Sequence, residues 1–203
     1  DEISELLTEG IAFSGILIIP GLAGALVVGS RILEIYGPEY GQGEIILVLL
    51  IIARLTNAYN GLFKNTINAI DKPEIGFRIN AVVLGSNIIL NLSLIPIFGW
   101  YGAAIGTASS ATIGMFVGYY WVNQSIRINI PYREIGLQIA ASLVMILAVA
   151  GLSQVLGSGR IETVVIVFLA AGVYSAVLLT LSTTVRGKMV SILSDYPHLR
   201  SLL

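Results

Sequence analysis

The chain has no cysteine, so it can form neither a disulfide nor a thiolate metal site, and its redox compartment cannot be read. Charge is scarce as well. Only 11% of residues are Asp, Glu, Lys or Arg, against about a quarter in soluble globular domains. A net charge of -1 with no basic stripe excludes nucleic acid as a partner. The single histidine, His198, lies after Pro197 without partner residues in the sequence. No Ser-His-Asp set, phosphate-binding glycine loop or metal-ligand cluster is present, so the sequence predicts neither an enzyme nor a cofactor or metal. All twelve acidic residues fall at or outside the ends of the apolar runs. The segment therefore lacks the usual carboxylate site for protons or sodium deep in a span. The first residues, Asp1-Glu2-Ile3-Ser4-Glu5, have no basic lead-in and do not form a signal peptide. They read as an acidic amphipathic segment in the middle of a longer chain, with these 203 residues expected to be the C-terminal part of a larger transporter.

What is present is hydrophobic, 56% of the chain. A spanning helix needs about 20 mostly apolar residues, and six such stretches lie near 11–30, 44–66, 78–96, 102–122, 135–156 and 162–182. Gly37-Pro38, Asp71-Lys72-Pro73, Pro96 with Gly99, Pro131 and Gly157-Ser158-Gly159 separate them. The class is an all-α polytopic membrane protein with a six-transmembrane-helix bundle. Residues 1–10 are expected to form a cytoplasmic interfacial segment, 11–182 the bundle, and 183–203 a cytoplasmic tail. Loops on one side carry Lys64, Lys72, Arg78, Arg127, Arg133, Arg186, Lys188 and Arg200; the other side carries Arg31 and Arg160. That positive-inside bias predicts a multi-pass protein of the plasma membrane with both termini cytoplasmic.

Residues 57–121 hold the densest pattern. Asn80, Asn87 and Asn91 recur at intervals that share one helical face. Such amides either line a polar path or bond between helices, and interhelical bonding is the favoured reading for Asn87 and Asn91. Pro96 and Gly99 are expected to turn the chain. Gly102, Gly106, Ser110, Gly114 and Gly118 then follow every four residues, a small-residue ladder suited to close helix packing. Tyr101 and Tyr120, each beside a Trp, stand roughly 29 Å apart along a helix, a spacing that places an aromatic belt at each membrane interface.

Arg54 falls about 15 Å into the second span. A guanidinium facing lipid at that depth costs at least about 2.5 kcal/mol. Asn57, Gly61, Lys64 and Asn68 lie within about 80° of it on the helix, making one continuous polar face. One reading is a cationic cavity wall that pairs with an anionic headgroup; the other is an arginine satisfied by carbonyls or by helices outside this chain. Pro20, with Gly21 and Gly24, interrupts the first span, and a bend near residues 16–20 is expected, either as a hinge or as a static kink.

The run Gly37-Pro38-Glu39-Tyr40 resembles the Gly-x-Glu-Tyr loop of polysaccharide-export flippases. Asn68-Ala69-Ile70-Asp71-Lys72-Pro73 through Arg78-Ile79-Asn80 resembles that family's second loop. The segment from Asn87 through Leu94-Ile95-Pro96-Ile97-Phe98-Gly99-Trp100-Tyr101-Gly102 to Ala104 is similar to its most recognisable signature. The family is the oligosaccharide flippase branch of the multidrug/oligosaccharidyl-lipid/polysaccharide exporter superfamily, and the resemblance covers roughly residues 10–125. It implies one lobe, helices seven to twelve, of a two-lobe exporter that moves lipid-linked oligosaccharide by alternating access, with Arg54 facing a cationic cavity. The implied partners are an N-terminal six-helix lobe, the lipid-linked oligosaccharide, membrane lipids, and glycosyltransferases or a polymerase of the same pathway. Competing readings are a drug/cation antiporter of the same superfamily, disfavoured by the absence of buried carboxylates, and a non-transporting scaffold from a truncated gene.

Overall fold

The computed structural model describes residues 2–157 and 159–195; His198 and the end of the tail lie outside them. The described chain forms seven α-helices. α1 (Glu2–Glu34) is one helix of 33 residues, so the acidic start and the first span are a single element. Glu2 and Glu5 in its first turn and Arg31 in its last complement the helix dipole. Pro20 lies within it, and its missing N–H leaves the carbonyl four residues earlier without its helical partner.

Gly37 and a short 3-10 helix (Pro38–Gly43) lead into α2 (Glu44–Ala69). Asp71, with φ 55, makes the next turn, and Pro73 opens α3 (Pro73–Phe98). Pro96 and Gly99 were expected to turn the chain together, but α3 continues through Pro96. The reversal sits at Gly99 alone, whose φ 56 and ψ -133 an L side chain rarely adopts. A proline in the final turn removes only one hydrogen bond near an end where carbonyls are already free. α4 (Trp100–Ser125), α5 (Tyr132–Val155) and α6 (Arg160–Leu181) follow. Residues 183–195, read from sequence as part of a tail, form α7 (Thr183–Asp195).

Five helical segments are long and apolar enough to cross a membrane: α1, α2 with its 3-10 lead-in, α3, α5 and α6. The expected fourth span is α4, which has the length but not the hydropathy, because Gly, Ser and Thr occupy its packing face. Its neighbours supply what composition does not, since α4 packs along both α2 and α3. α1 is shared between two apolar clusters. One joins it to α5 and α6 through Met145, Val149, Ile166 and Leu178. The other joins it to α2, α3 and α4 through Phe63, Ile67, Ile79 and Val122. None of the most apolar window of α3 is buried, as expected of a helix solvated by lipid rather than water.

The glycine ladder is a seam with two partners. A Cβ at Gly102 would collide with the Leu94 carbonyl, and one at Gly106 would lie 2.8 Å from Asn91 Oδ1, both on α3. At Gly118 the obstacle is Phe63 of α2, 3.2 Å away. Gly114 meets both helices, through Val83 and through Asn60 Nδ2 at 3.0 Å. The absence of side chains brings α4 against the backbone of α3 and against the side chains of Asn60 and Phe63 on α2.

One polar cluster holds the junction of α5, α6 and α7. Glu134 is 7% exposed; its carboxylate accepts hydrogen bonds from Ser182 Oγ (2.6 Å) and Thr184 Oγ1 (3.0 Å) and pairs with Arg133 at 3.1 Å. Ser182 Oγ in turn accepts the Val185 N–H at 3.1 Å, capping the start of α7. A second tie, the Glu9–Lys188 ion pair, fastens α7 to α1. Glu134→Ala strands two hydroxyls beside a cavity. We expect it to cost about 1–3 kcal/mol, read as a lower thermal unfolding midpoint of the full-length protein in detergent; an unchanged midpoint would show the cluster to be incidental.

Candidate functional site: the polar face of α2

The α2 helix carries the residues singled out above on a face that the rest of this chain leaves uncovered. Arg54, Asn57 and Asn68 are exposed, and Gly61 and Lys64 are half-buried. Nothing lies within 4 Å of the position a Cβ on Gly61 would take. Among the described residues Arg54 makes no hydrogen bond and no ion pair. Carbonyls of the described residues therefore do not satisfy it. Lys64 Nζ donates to Asn80 Oδ1 at 3.1 Å, which adds an exposed residue of α3 to the same polar surface.

The three asparagines of α3 separate into two roles. Asn80 joins Lys64. Asn87 Nδ2 donates to Ser110 Oγ on α4 at 3.0 Å, and Asn91 Nδ2 donates to Asn87 Oδ1 at 2.9 Å. Ser110 then donates to the Thr107 carbonyl at 3.1 Å. This chain of amides and hydroxyls fixes the register of α3 on α4, and Asn91 Oδ1 ends it buried without a partner among the described residues. Pro20 lies on a different surface of the bundle, beside α6.

Among the buried polar side chains that sequence reasoning missed, three stand out. Asn60, 3% exposed, sits on the side of α2 that meets the glycine seam, with its Oδ1 unpartnered. Gln138, 1% exposed, donates from Nε2 to the Ala12 carbonyl of α1 at 2.7 Å. Glu134 is the third, a buried carboxylate at the start of α5 where the sequence reading expected none. Glu134, Gln138 and Ser142 recur every four residues, and all three are buried on α5. That spacing is visible in the sequence and would have marked a polar stripe.

At the basic end of the site Arg78 stacks over the Trp121 ring, 5.9 Å from its centroid. Tyr101, at the far end of α4, donates to the Gln42 carbonyl at 2.9 Å. Both aromatic ends of α4 are thus tied to neighbouring elements. With Arg78 included, the face presents two guanidinium groups, one ammonium and three amides (Asn57, Asn68 and Asn80), with no carboxylate among these residues. Such a surface suits a phosphate or another anion.

Comparison with known proteins is consistent across sequence and structure. Residues 1–175 match the protein family described as MurJ, "Lipid II flippase MurJ". The chain is 36% identical over 199 residues to the "Probable flippase AglR" of Haloferax volcanii, covering 96% of this chain and 42% of that protein. It is 26% identical over 180 residues to the "Probable low-salt glycan biosynthesis flippase Agl15" of the same organism, covering 88% of this chain and 38% of that one. A solved structure of the lipid II flippase MurJ, in an inward closed conformation, superposes with a TM-score of 0.76 at 16% identity, over 88% of this chain and 39% of the other. The chain thus spans less than half the length of the relatives it matches, and its helices form part of the MurJ fold. This multi-pass, all-helical membrane chain belongs to the MurJ lipid II flippase family.

Proposed function

We propose that the chain is the C-terminal lobe of a flippase that moves a lipid-linked oligosaccharide across the membrane by alternating access. The observation that carries this reading is Arg54: a cation far inside a spanning helix, exposed, with no partner among the described residues. A charge at that depth needs a counter-charge or water. The phosphate of a lipid-linked glycan supplies one, and one relative is named a probable low-salt glycan biosynthesis flippase. Asn57, Lys64, Asn68 and Asn80 extend the surface toward the sugar, and Gly61 leaves room beside it. An N-terminal lobe completes the cavity, since the relatives are more than twice as long as this chain. Pro20 serves as the hinge of the first helix. Glycosyltransferases or a polymerase of the same pathway supply or consume the substrate. The wider placement, in the multidrug/oligosaccharidyl-lipid/polysaccharide exporter superfamily, belongs to the same proposal.

Glycan export by the full-length protein carrying Arg54→Ala tests the cavity role. Orientation is tested separately. Both ends of the segment are proposed to be cytoplasmic, which puts the α5–α6 turn outside. A membrane-impermeant maleimide should then label Gly159→Cys in intact cells, and labelling from the cytoplasmic side alone would overturn that placement.

A further inference from the structure

The α2 helix carries two cations on its exposed face, and the second, Lys64, is held in a distinctive way. Lys188 and Arg133 pair with carboxylates, and Arg78 stacks on Trp121. Lys72 meets a neutral partner, Ser125, but stands exposed in the turn after α2. Lys64 is half-buried, and the amide oxygen of Asn80 on α3 accepts from its Nζ at 3.1 Å. That partner is neutral too. Among the described residues Lys64 makes no ion pair, so no carboxylate offsets its charge. A lysine that merely snorkels extends its head into water. This one is fastened between two helices, in line with Arg54.

The spacing of the two cations limits what they can read. Lys64 follows Arg54 by ten residues, roughly 15 Å along the helix. Helical side chains lean toward the N-terminus, so both heads shift the same way and stay apart. A phosphate or a diphosphate is too short to meet both at once. Between them Asn57 is exposed, and nothing lies within 4 Å of a Cβ on Gly61, which leaves room for sugar rings. Neutral sugars present hydroxyls that donate as well as accept, and a site for them calls for acceptors, carboxylates above all. The face lacks carboxylates, and the Asn80 oxygen is already engaged. An ammonium only donates, and its hydrogen bonds to an anion are about twice as strong as neutral ones. We propose that the translocated glycan is acidic: a uronic acid or a sulfated sugar, set apart from the lipid phosphate, meets Lys64 while the phosphate meets Arg54. This rests on the cavity reading above. Asn80 is a positioning residue. It takes one of the three ammonium donors, fixes the head on the polar face, and leaves two for the ligand.

The test uses full-length protein in nanodiscs and citronellyl phosphate-linked trisaccharides that differ only at the last sugar: a uronic acid, its uncharged methyl ester, or a sulfated hexose. The wild type should bind at least one of the two acids about tenfold more tightly than the ester, the scale of one charge-assisted hydrogen bond. Lys64→Gln should bring that ratio close to one. So should Asn80→Asp, which keeps the shape of the amide and gives the lysine an internal counter-charge. No preference in the wild type, or a preference that survives Lys64→Gln, would overturn the proposal. So would an equal loss of affinity for acid and ester in Lys64→Gln, which would make the lysine a phosphate contact. Moving the acid to the sugar next to the phosphate should remove most of the gain, and an undiminished gain there would also overturn it. Arg54→Ala should weaken all three ligands by the same factor. If it weakens none while the ratio still depends on Lys64, the phosphate reading of Arg54 fails and the sugar contact stands.

Discussion

Arg54→Ala should reduce glycan export by the full-length protein about tenfold to a hundredfold, the range of one charge-assisted hydrogen-bonding contact. Thermal stability should not fall with it. Among the described residues the side chain makes no hydrogen bond or ion pair that its removal would break, and deleting a charge from a spanning helix relieves an insertion cost of about 2.5 kcal/mol or more. Loss of transport without loss of stability is therefore the signature of a substrate contact. A purely structural arginine, paired with the other lobe, would lose both together. Arg54→Lys should be intermediate, because it keeps the charge and loses the planar fork that grips two phosphate oxygens. Wild-type export in Arg54→Ala, with normal expression, would sink the cavity role.

The largest stability effects should come from the seam of α4. A methyl group at Gly102 has no side chain to push aside, because the obstacle is the Leu94 backbone carbonyl of α3. Gly102→Ala should therefore destabilise the protein by about 1–3 kcal/mol, the usual cost of overpacking, and Gly102→Leu should prevent folding of the α3–α4 pair. Gly85 of α3 is the control. Nothing lies within 4 Å of its would-be Cβ, so Gly85→Ala should be neutral or stabilising by up to about 1 kcal/mol, the helix preference for alanine. Melting curves of the two alanine variants in detergent decide the matter. If Gly102→Ala melts with the wild type, α4 does not approach α3 as closely as described.

The features legible in the sequence were those carried by local periodicity. Six helical stretches, the Arg54 face and the four-residue ladder all follow from a helical repeat applied to neighbouring positions. Less legible was anything that depends on distant partners. Glu134 finds Ser182 across 48 residues of chain, and no spacing rule connects them. Asn80 and Asn87 share a computed helix face, yet one bonds to Lys64 on α2 and the other to Ser110 on α4. The identity of the neighbour, not the phase of the helix, separates their roles. α7 escaped notice because its sequence is short and mixed in polarity, and its position is set by Glu9 and Glu134 on other helices. At the end of α3 the proline was the more conspicuous residue, but backbone handedness made Gly99 the pivot.

The modest hydropathy of α4 bears on how this protein is made. A segment rich in Gly, Ser and Thr gains less from entering lipid than the more apolar α3 beside it. During synthesis α3 can enter the bilayer on its own composition. α4 emerges directly after it, with only Gly99 between them, and becomes stable there once the Asn87–Ser110 bond and the small-residue contacts form against a helix already in place. Residues that pack the finished fold thus also favour α4 staying in the bilayer beside α3, and a defect in the seam is expected to weaken that placement as well as the fold.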